Sequence, residues 1–395
     1  MSKQLSKYIL FLYILFTLYV GSAAIFSPLN EYGEMAIPLN IYAFFDLFSF
    51  FVLFFVFLSS RWNFSDFGSI YISWFFFVTS LLVFSFQGAY QLNYIEYAHY
   101  FFRNQIFYVF LGGSIYYFCL RLDRKEIDKF LFFVLCSQIF FSFYVVLMEF
   151  LIGGYFWEGS RLTGSLVNHN SYGLFLVFFA FWVFYSYEGS EWAKYLLWCC
   201  IAALVVLSGS VTAIIGVFLS VVRNLKFFVF LCCLGIVAFF VFFDNIMSLH
   251  FVWKLNQLFF EKSTNLTSLS AREMQFKYFI DAFSNPVNWM FGVIENGSYQ
   301  LFDSQYYNIF INFGLMPVAL FLIMAMFVVK YHIGTGYALY YFWFFLVACS
   351  MTAFFARPIV LVLFFFFMAS TSLSARKNLN FSSNRNFSSC QSEVL

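Results

Sequence analysis

The chain has 395 residues, 63% of them hydrophobic and 10% charged, whereas soluble domains carry roughly 25% charged residues. This composition excludes a globular enzyme held by a single anchor, and a net charge of +2 excludes a broad nucleic-acid surface. The fold class expected is an all-α polytopic membrane protein with membrane lipid as its solvent.

Runs long enough to span, at about 20 residues each, fall near 8–26, 39–59, 70–87, 104–120, 130–152, 171–187, 227–247, 304–329, 337–355 and 359–374. The stretch 195–222 reads either as one overlong helix or as two short helices meeting at Ser208-Gly209-Ser210. Two short helices give about 12 spans with both termini cytoplasmic. Only Arg103, Arg161, Lys254, Lys262, Arg272, Lys277 and Arg357 then lie outside, and the remaining cations fall inside. A single helix would move Lys330 and the basic tail outside, so the positive-inside rule favours two. Lys3 and Lys7 before an apolar run, with Gly-Ser-Ala-Ala at 21–24, also fit a signal peptide, but the run is long for one and a retained first helix is expected.

Residues 1–374 thus form one transmembrane domain with a large outer loop at about 248–303, followed by a Ser/Asn-rich cytoplasmic tail, 375–395, expected to be disordered. Within the loop, Ser270-Ala271-Arg272-Glu273 has the pattern of a capping box. The helix it opens is expected to run towards Phe283 and stop before Asn285-Pro286. Arg272, Gln275, Phe276, Phe279 and Phe283 share one face of it, as in a helix lying at a membrane surface.

The eight cysteines carry no metal-ligand spacing with His, and all but Cys390 lie in apolar runs. No metal site and no structural disulfide are implied. There is also no Gly-rich phosphate loop, no Ser-His-Asp motif and no convincing repeat. The 67 Phe residues are explained by lipid-facing bulk.

Chemistry is instead offered by three polar motifs at helix starts on the outer side: Arg161–Gly173, Ser208-Gly209-Ser210 and Asp303-Ser304. Helix N-termini carry partial positive charge and free N–H groups suited to phosphate, and a guanidinium binds phosphate oxygens bidentately. Each residue also has an ordinary structural explanation. Asn170, Ser210 and Asp303 fit plain N-caps, Arg161 fits a side chain snorkelling to head groups, and Arg272 fits a solvated helix face. His169 fits a simple loop residue. Arg103 and Arg357, near outer helix ends, fit phosphate contacts or head-group anchors equally. Asp46, inside the second span, fits either a functional carboxylate or one hydrated near the outer end.

The pattern Arg161-x-x-Gly164-x-x-x-Asn168-x-Asn170-x-x-Gly173 resembles the Arg-x-x-Gly…Asn-Pro-Asn…Gly motif of the O-antigen ligase/polymerase superfamily. The order of later features is similar: Leu207-Ser208-Gly209-Ser210, an Arg272-led helix in the large loop, Phe291-Gly292, then Asp303-Ser304-x-Tyr306 opening a helix that contains Gly314. The likeness covers roughly residues 145–330. His169 stands where family members usually have Pro, and Val211 where many carry Arg.

The resemblance implies a metal-independent glycosyltransferase without cofactors, acting on undecaprenyl-pyrophosphate-linked oligosaccharides at the periplasmic face of the inner membrane. Arg161 and Arg272 would hold pyrophosphate, and Asp303 or His169 would orient or deprotonate the acceptor hydroxyl. Gly164, Asn168, Asn170, Ser210, Tyr306, Arg103 and Arg357 would line the substrate site. A chain-length regulator is the protein partner implied. Ligases carry a functional His in the large loop, whereas the only His here is His250 at its start, which favours an O-antigen polymerase (Wzy-like). The alternatives are a ligase acting on lipid A-core and a flippase or transporter.

Overall fold

The structure, a computed structural model, describes residues 3–19, 39–59, 107–152, 157–158, 161–166, 169–222 and 224–241, with shorter stretches between 274 and 370. The described residues are mostly helical. In chain order the described elements are α1 (Lys3–Tyr19), α2 (Leu39–Ser59), α3 (Tyr108–Cys119), α4 (Arg124–Ile152), β1 (Trp157–Glu158), β2 (Arg161–Leu162), a 3-10 turn at Gly164–Leu166, α5 (His169–Tyr185), α6 (Glu191–Ser208), α7 (Val211–Val221), α8 (Leu225–Val241) and α9 (Gln305–Phe313). Among the described residues two helical segments, Arg124–Leu151 and Glu191–Ser208, are long and apolar enough to cross a membrane, and several shorter apolar helices accompany them. The expected spans at 70–87 and 337–355 lie largely or wholly outside the described residues.

The described residues fall into two compact units. One is drawn from Met1–Lys7, Leu53–Lys129 and Phe279–Leu395, the other from Tyr8–Val52 and Phe130–Tyr278.

In the first unit, Lys7 is buried and pairs with Glu126 at 2.7 Å. A buried ammonium is costly unless its charge is matched. The start of α4 is fixed locally: Asp123 accepts a hydrogen bond from the Lys125 amide at 3.0 Å, and Arg124 pairs with Asp128 across one turn at 3.2 Å. These contacts explain why α4 begins before the apolar run at 130 that hydropathy alone marks. In the same unit Phe279 stacks on Tyr307 and Phe310 of α9. The segment carrying Phe279 is helical over 276–281 and ends in a turn where Ser284 bonds the Asp281 carbonyl, just before Asn285-Pro286. α9 ends at Phe313, so Gly314 terminates this helix instead of lying within it as expected. Its amide donates to the Phe310 carbonyl at 2.7 Å in a helix-ending turn.

The second unit is organised around α5. Apart from Asn170, every residue from His169 to Val183 is buried, so protein surrounds about the first four turns of this helix on all faces. α6 and α7 pack against it as an antiparallel hairpin, the two-helix solution of 195–222. At the closed end Gly209 takes a left-handed conformation (φ 64°, ψ 16°), and its amide bonds the Val206 carbonyl at 3.0 Å. At the open end the Trp198 indole donates to Ser220 at 2.9 Å. Phe184 of α5 packs there on Trp198, Tyr195 and Phe227. α1 joins α2 through a Tyr13–Ser49 hydroxyl pair at 2.6 Å, and joins α4 through Tyr19, which donates to Ser137 at 2.7 Å. Asp46 is half-buried on α2, within electrostatic reach of Tyr13.

Candidate functional site

The segment around Arg161 is irregular backbone, yet it is buried. Leu162, Thr163 and Ser165 are at most 3% exposed, although connecting segments normally run over the surface. Its shape starts from a two-residue antiparallel pairing, Trp157 opposite Leu162 and Glu158 opposite Arg161. This pairing departs from the expected all-α fold. Gly164 then turns the chain with φ +56°, a conformation that is strained for residues with a Cβ. A Cβ there would also run into the ring of Tyr172. Glycine is required twice over at this position, by dihedral and by space.

Two hydrogen bonds seat the segment against α4. Ser165 donates to the Gln138 side-chain oxygen at 2.8 Å, and the Tyr172 and Ser142 hydroxyls bond each other. All four side chains are fully buried or nearly so. Gln138 and Ser142 are one turn apart and therefore share a face of α4. Tyr19 donates to Ser137, the neighbour of Gln138, which brings α1 to the same part of α4.

On its other side the segment meets the Ser208–Ser210 turn. Nη2 of Arg161 donates to the Gly209 carbonyl at 3.5 Å, the long limit of a hydrogen bond, and Arg161 is half-buried. Gly173 sits against the same turn: a Cβ on it would lie 2.8 Å from the Ala213 Cβ, 3.0 Å from the Ser210 Cβ and 3.1 Å from the Ser208 hydroxyl. α5 and α7 therefore start side by side, and their N-terminal dipoles reinforce each other at one end of the unit. Arg161 approaches that same end.

The positions of the expected site residues follow from this. His169 is the first residue of α5 and is buried; Asn170 is the second and is half-buried, so it lies inside the first turn and does not cap it. Ser210 occupies the N-cap position of α7 in an extended conformation, but its side chain makes no capping bond. Its amide instead donates to the Ser208 hydroxyl at 3.4 Å. The plain-cap explanation thus fails for both Asn170 and Ser210. Tyr306, in the other unit, is half-buried and donates to the Leu346 carbonyl at 2.7 Å. Arg103, Asn168, Arg272, Asp303 and Arg357 lie outside the described residues.

Sequence reading missed Gln138, Ser142, Ser165 and Tyr172. A signal for two of them was present, because an amide and a hydroxyl at i and i+4 in a long apolar helix face protein more often than lipid. Among the described residues no group of His, Cys, Asp and Glu is placed to hold a metal ion. No protein-family model, curated protein or solved structure matches the chain.

Proposed function

We propose that the chain is a polysaccharide polymerase of the inner membrane, with about 12 spans and both termini cytoplasmic. It joins undecaprenyl-pyrophosphate-linked O-antigen repeat units, or similar units, on the periplasmic face. The hydroxyl of one unit attacks the anomeric carbon of the other. A glycosidic C–O bond forms, the bond from that carbon to the pyrophosphate oxygen breaks, and the acceptor proton passes to Asp303 or His169. Undecaprenyl pyrophosphate leaves with the bonding electron pair.

The observation that carries this reading is the meeting of the Arg161 segment with the Ser208–Ser210 turn, where Arg161 reaches the Gly209 carbonyl and Gly173 packs under Ser210. These two motifs are 48 residues apart along the chain, and both belong to the family pattern. Together they set a guanidinium near two helix N-termini, an arrangement suited to an anionic leaving group. Arg272 would hold the same pyrophosphate. Asn168 and Asn170 would add amide contacts, and the apolar helices would accommodate two polyprenyl tails.

A deletion strain of the source organism tests the reading through the banding of its surface lipopolysaccharide. Loss of a polymerase leaves core carrying a single repeat unit, restored to a ladder by the wild-type chain and not by Arg161→Ala. Bare core would identify a ligase instead. Repeat units trapped on the cytoplasmic side, with chain length indifferent to Arg161→Ala, would identify a transporter.

A further inference from the structure

Gln138 is the middle residue of α4, with equal lengths of helix before and after it. A helix of 29 residues is about 43 Å long at about 1.5 Å per residue. The Ser165–Gln138 hydrogen bond therefore places Ser165 about 20 Å below the C-terminal end of α4. The Tyr172–Ser142 pair lies one turn nearer that end. Beyond it α4 continues with strongly exposed apolar residues, including Phe143, Phe150 and Leu151. The segment is irregular in conformation and buried by packing, and its Ser165 is level with the middle of α4, the longest of the described helices.

Irregular backbone at membrane depth is tolerated only where protein encloses it or it lines a cavity, because lipid supplies no hydrogen bonds. The burial of Leu162, Thr163 and Ser165 meets that condition. Polar side chains within a spanning helix likewise turn towards protein, and here they turn to the loop.

We propose that residues 161–166 form a re-entrant segment seated on α4, Gln138 holding Ser165 directly and Ser142 holding the Tyr172 ring that packs against Gly164. The proposal rests on α4 crossing the membrane, which the proposed function shares. It sets Ser165, and with it the inner part of the segment, in the apolar layer.

The test is the reactivity of single introduced cysteines in intact cells, with the labelling of the wild-type chain as blank. Leu166→Cys marks the segment and Leu151→Cys marks the last turn of α4. A charged, membrane-impermeant thiol reagent is expected to label Leu166→Cys about tenfold or more slowly than Leu151→Cys, because a recessed thiol is both shielded and less ionised. Adding Gln138→Leu, or separately Ser142→Ala, is expected to raise the Leu166→Cys rate towards that of Leu151→Cys, while Ser142→Thr, which keeps the hydroxyl, is expected to leave it slow. Equal labelling of the two positions in the otherwise unchanged chain would overturn the proposal, as would seat variants that fold but leave the rate unaltered. Either seat variant suffices if the other fails to accumulate. The polymerase reading is judged separately by the lipopolysaccharide ladder of Arg161→Ala, so the two can fail independently.

Discussion

Nη2 of Arg161 lies 3.5 Å from the carbonyl oxygen of Gly209, the left-handed residue that closes the α6–α7 hairpin. The contact ties the Arg161–Gly173 motif to a turn that hydropathy leaves ambiguous. It also makes the conformation of Gly209 a condition for where Arg161 points. The backbone carbonyl orients the guanidinium, and the neighbouring helix starts supply further positive potential to any anion that approaches.

On the proposed polymerase reading, Arg161→Ala is expected to lower polymerisation by about 100-fold or more, the usual effect of removing one charge-stabilising donor. Arg161→Lys keeps the charge but lacks the planar fork, so it should restore only part of the activity. The length distribution of lipopolysaccharide ladders, compared at equal protein abundance, measures both.

Gly173→Ala should push α5 away from α7, since its new methyl would lie 2.8 Å from the Ala213 Cβ. A loss of about 1–3 kcal/mol is expected from overpacking. Gly235→Ala in α8 is the control: a Cβ there meets nothing within 4 Å among the described residues, and alanine is the better helix former. Thermal unfolding of the detergent-solubilised protein should separate them, with Gly173→Ala melting lower and Gly235→Ala unchanged or slightly higher.

Gly209→Val and Gly209→Asn differ in how they tolerate positive φ. Asn visits that region readily whereas a β-branched side chain does not. The Val variant should lose about 1–2 kcal/mol or more and the Asn variant clearly less. If hairpin closure aims Arg161, the Asn variant should also keep a longer ladder than the Val variant.

Trp198 and Ser220 form an interhelical hydrogen bond at the open end of the hairpin, both side chains buried. Bonds of this kind inside membranes are worth about 0.6 kcal/mol on average and at most about 1.7. A double-mutant cycle of Trp198→Phe and Ser220→Ala, read by thermal unfolding, should return a coupling in that range. A coupling near zero would show that packing on Phe184 and Phe227 alone holds the hairpin.

Much of the helical framework was legible because apolar run length is a strong and local signal. α2 matches its expected limits, and α5 and α8 begin within two residues of theirs. α4 begins earlier than its apolar run because Asp123, Arg124 and Asp128 stabilise a polar first turn. The helix expected to contain Gly314 ends before it, since its amide closes a terminal turn on Phe310. The break at 208–210 could be inferred only indirectly, from the distribution of Lys and Arg; the left-handed glycine is its direct cause.

The sequence by itself determined that the chain is apolar and rich in helix-length apolar runs, and that polar motifs interrupt them at Arg161–Gly173, Ser208–Ser210 and Asp303-Ser304, because composition and spacing act locally. Only the tertiary structure decided that the first two of these motifs touch, that Gly173 must be small, and that Gln138 and Ser142 bond Ser165 and Tyr172. Those facts depend on which faces of α4, α5 and α7 are brought together across long stretches of chain. Such pairing is settled by the simultaneous burial of side chains and satisfaction of their hydrogen bonds, and one strand of sequence does not display it.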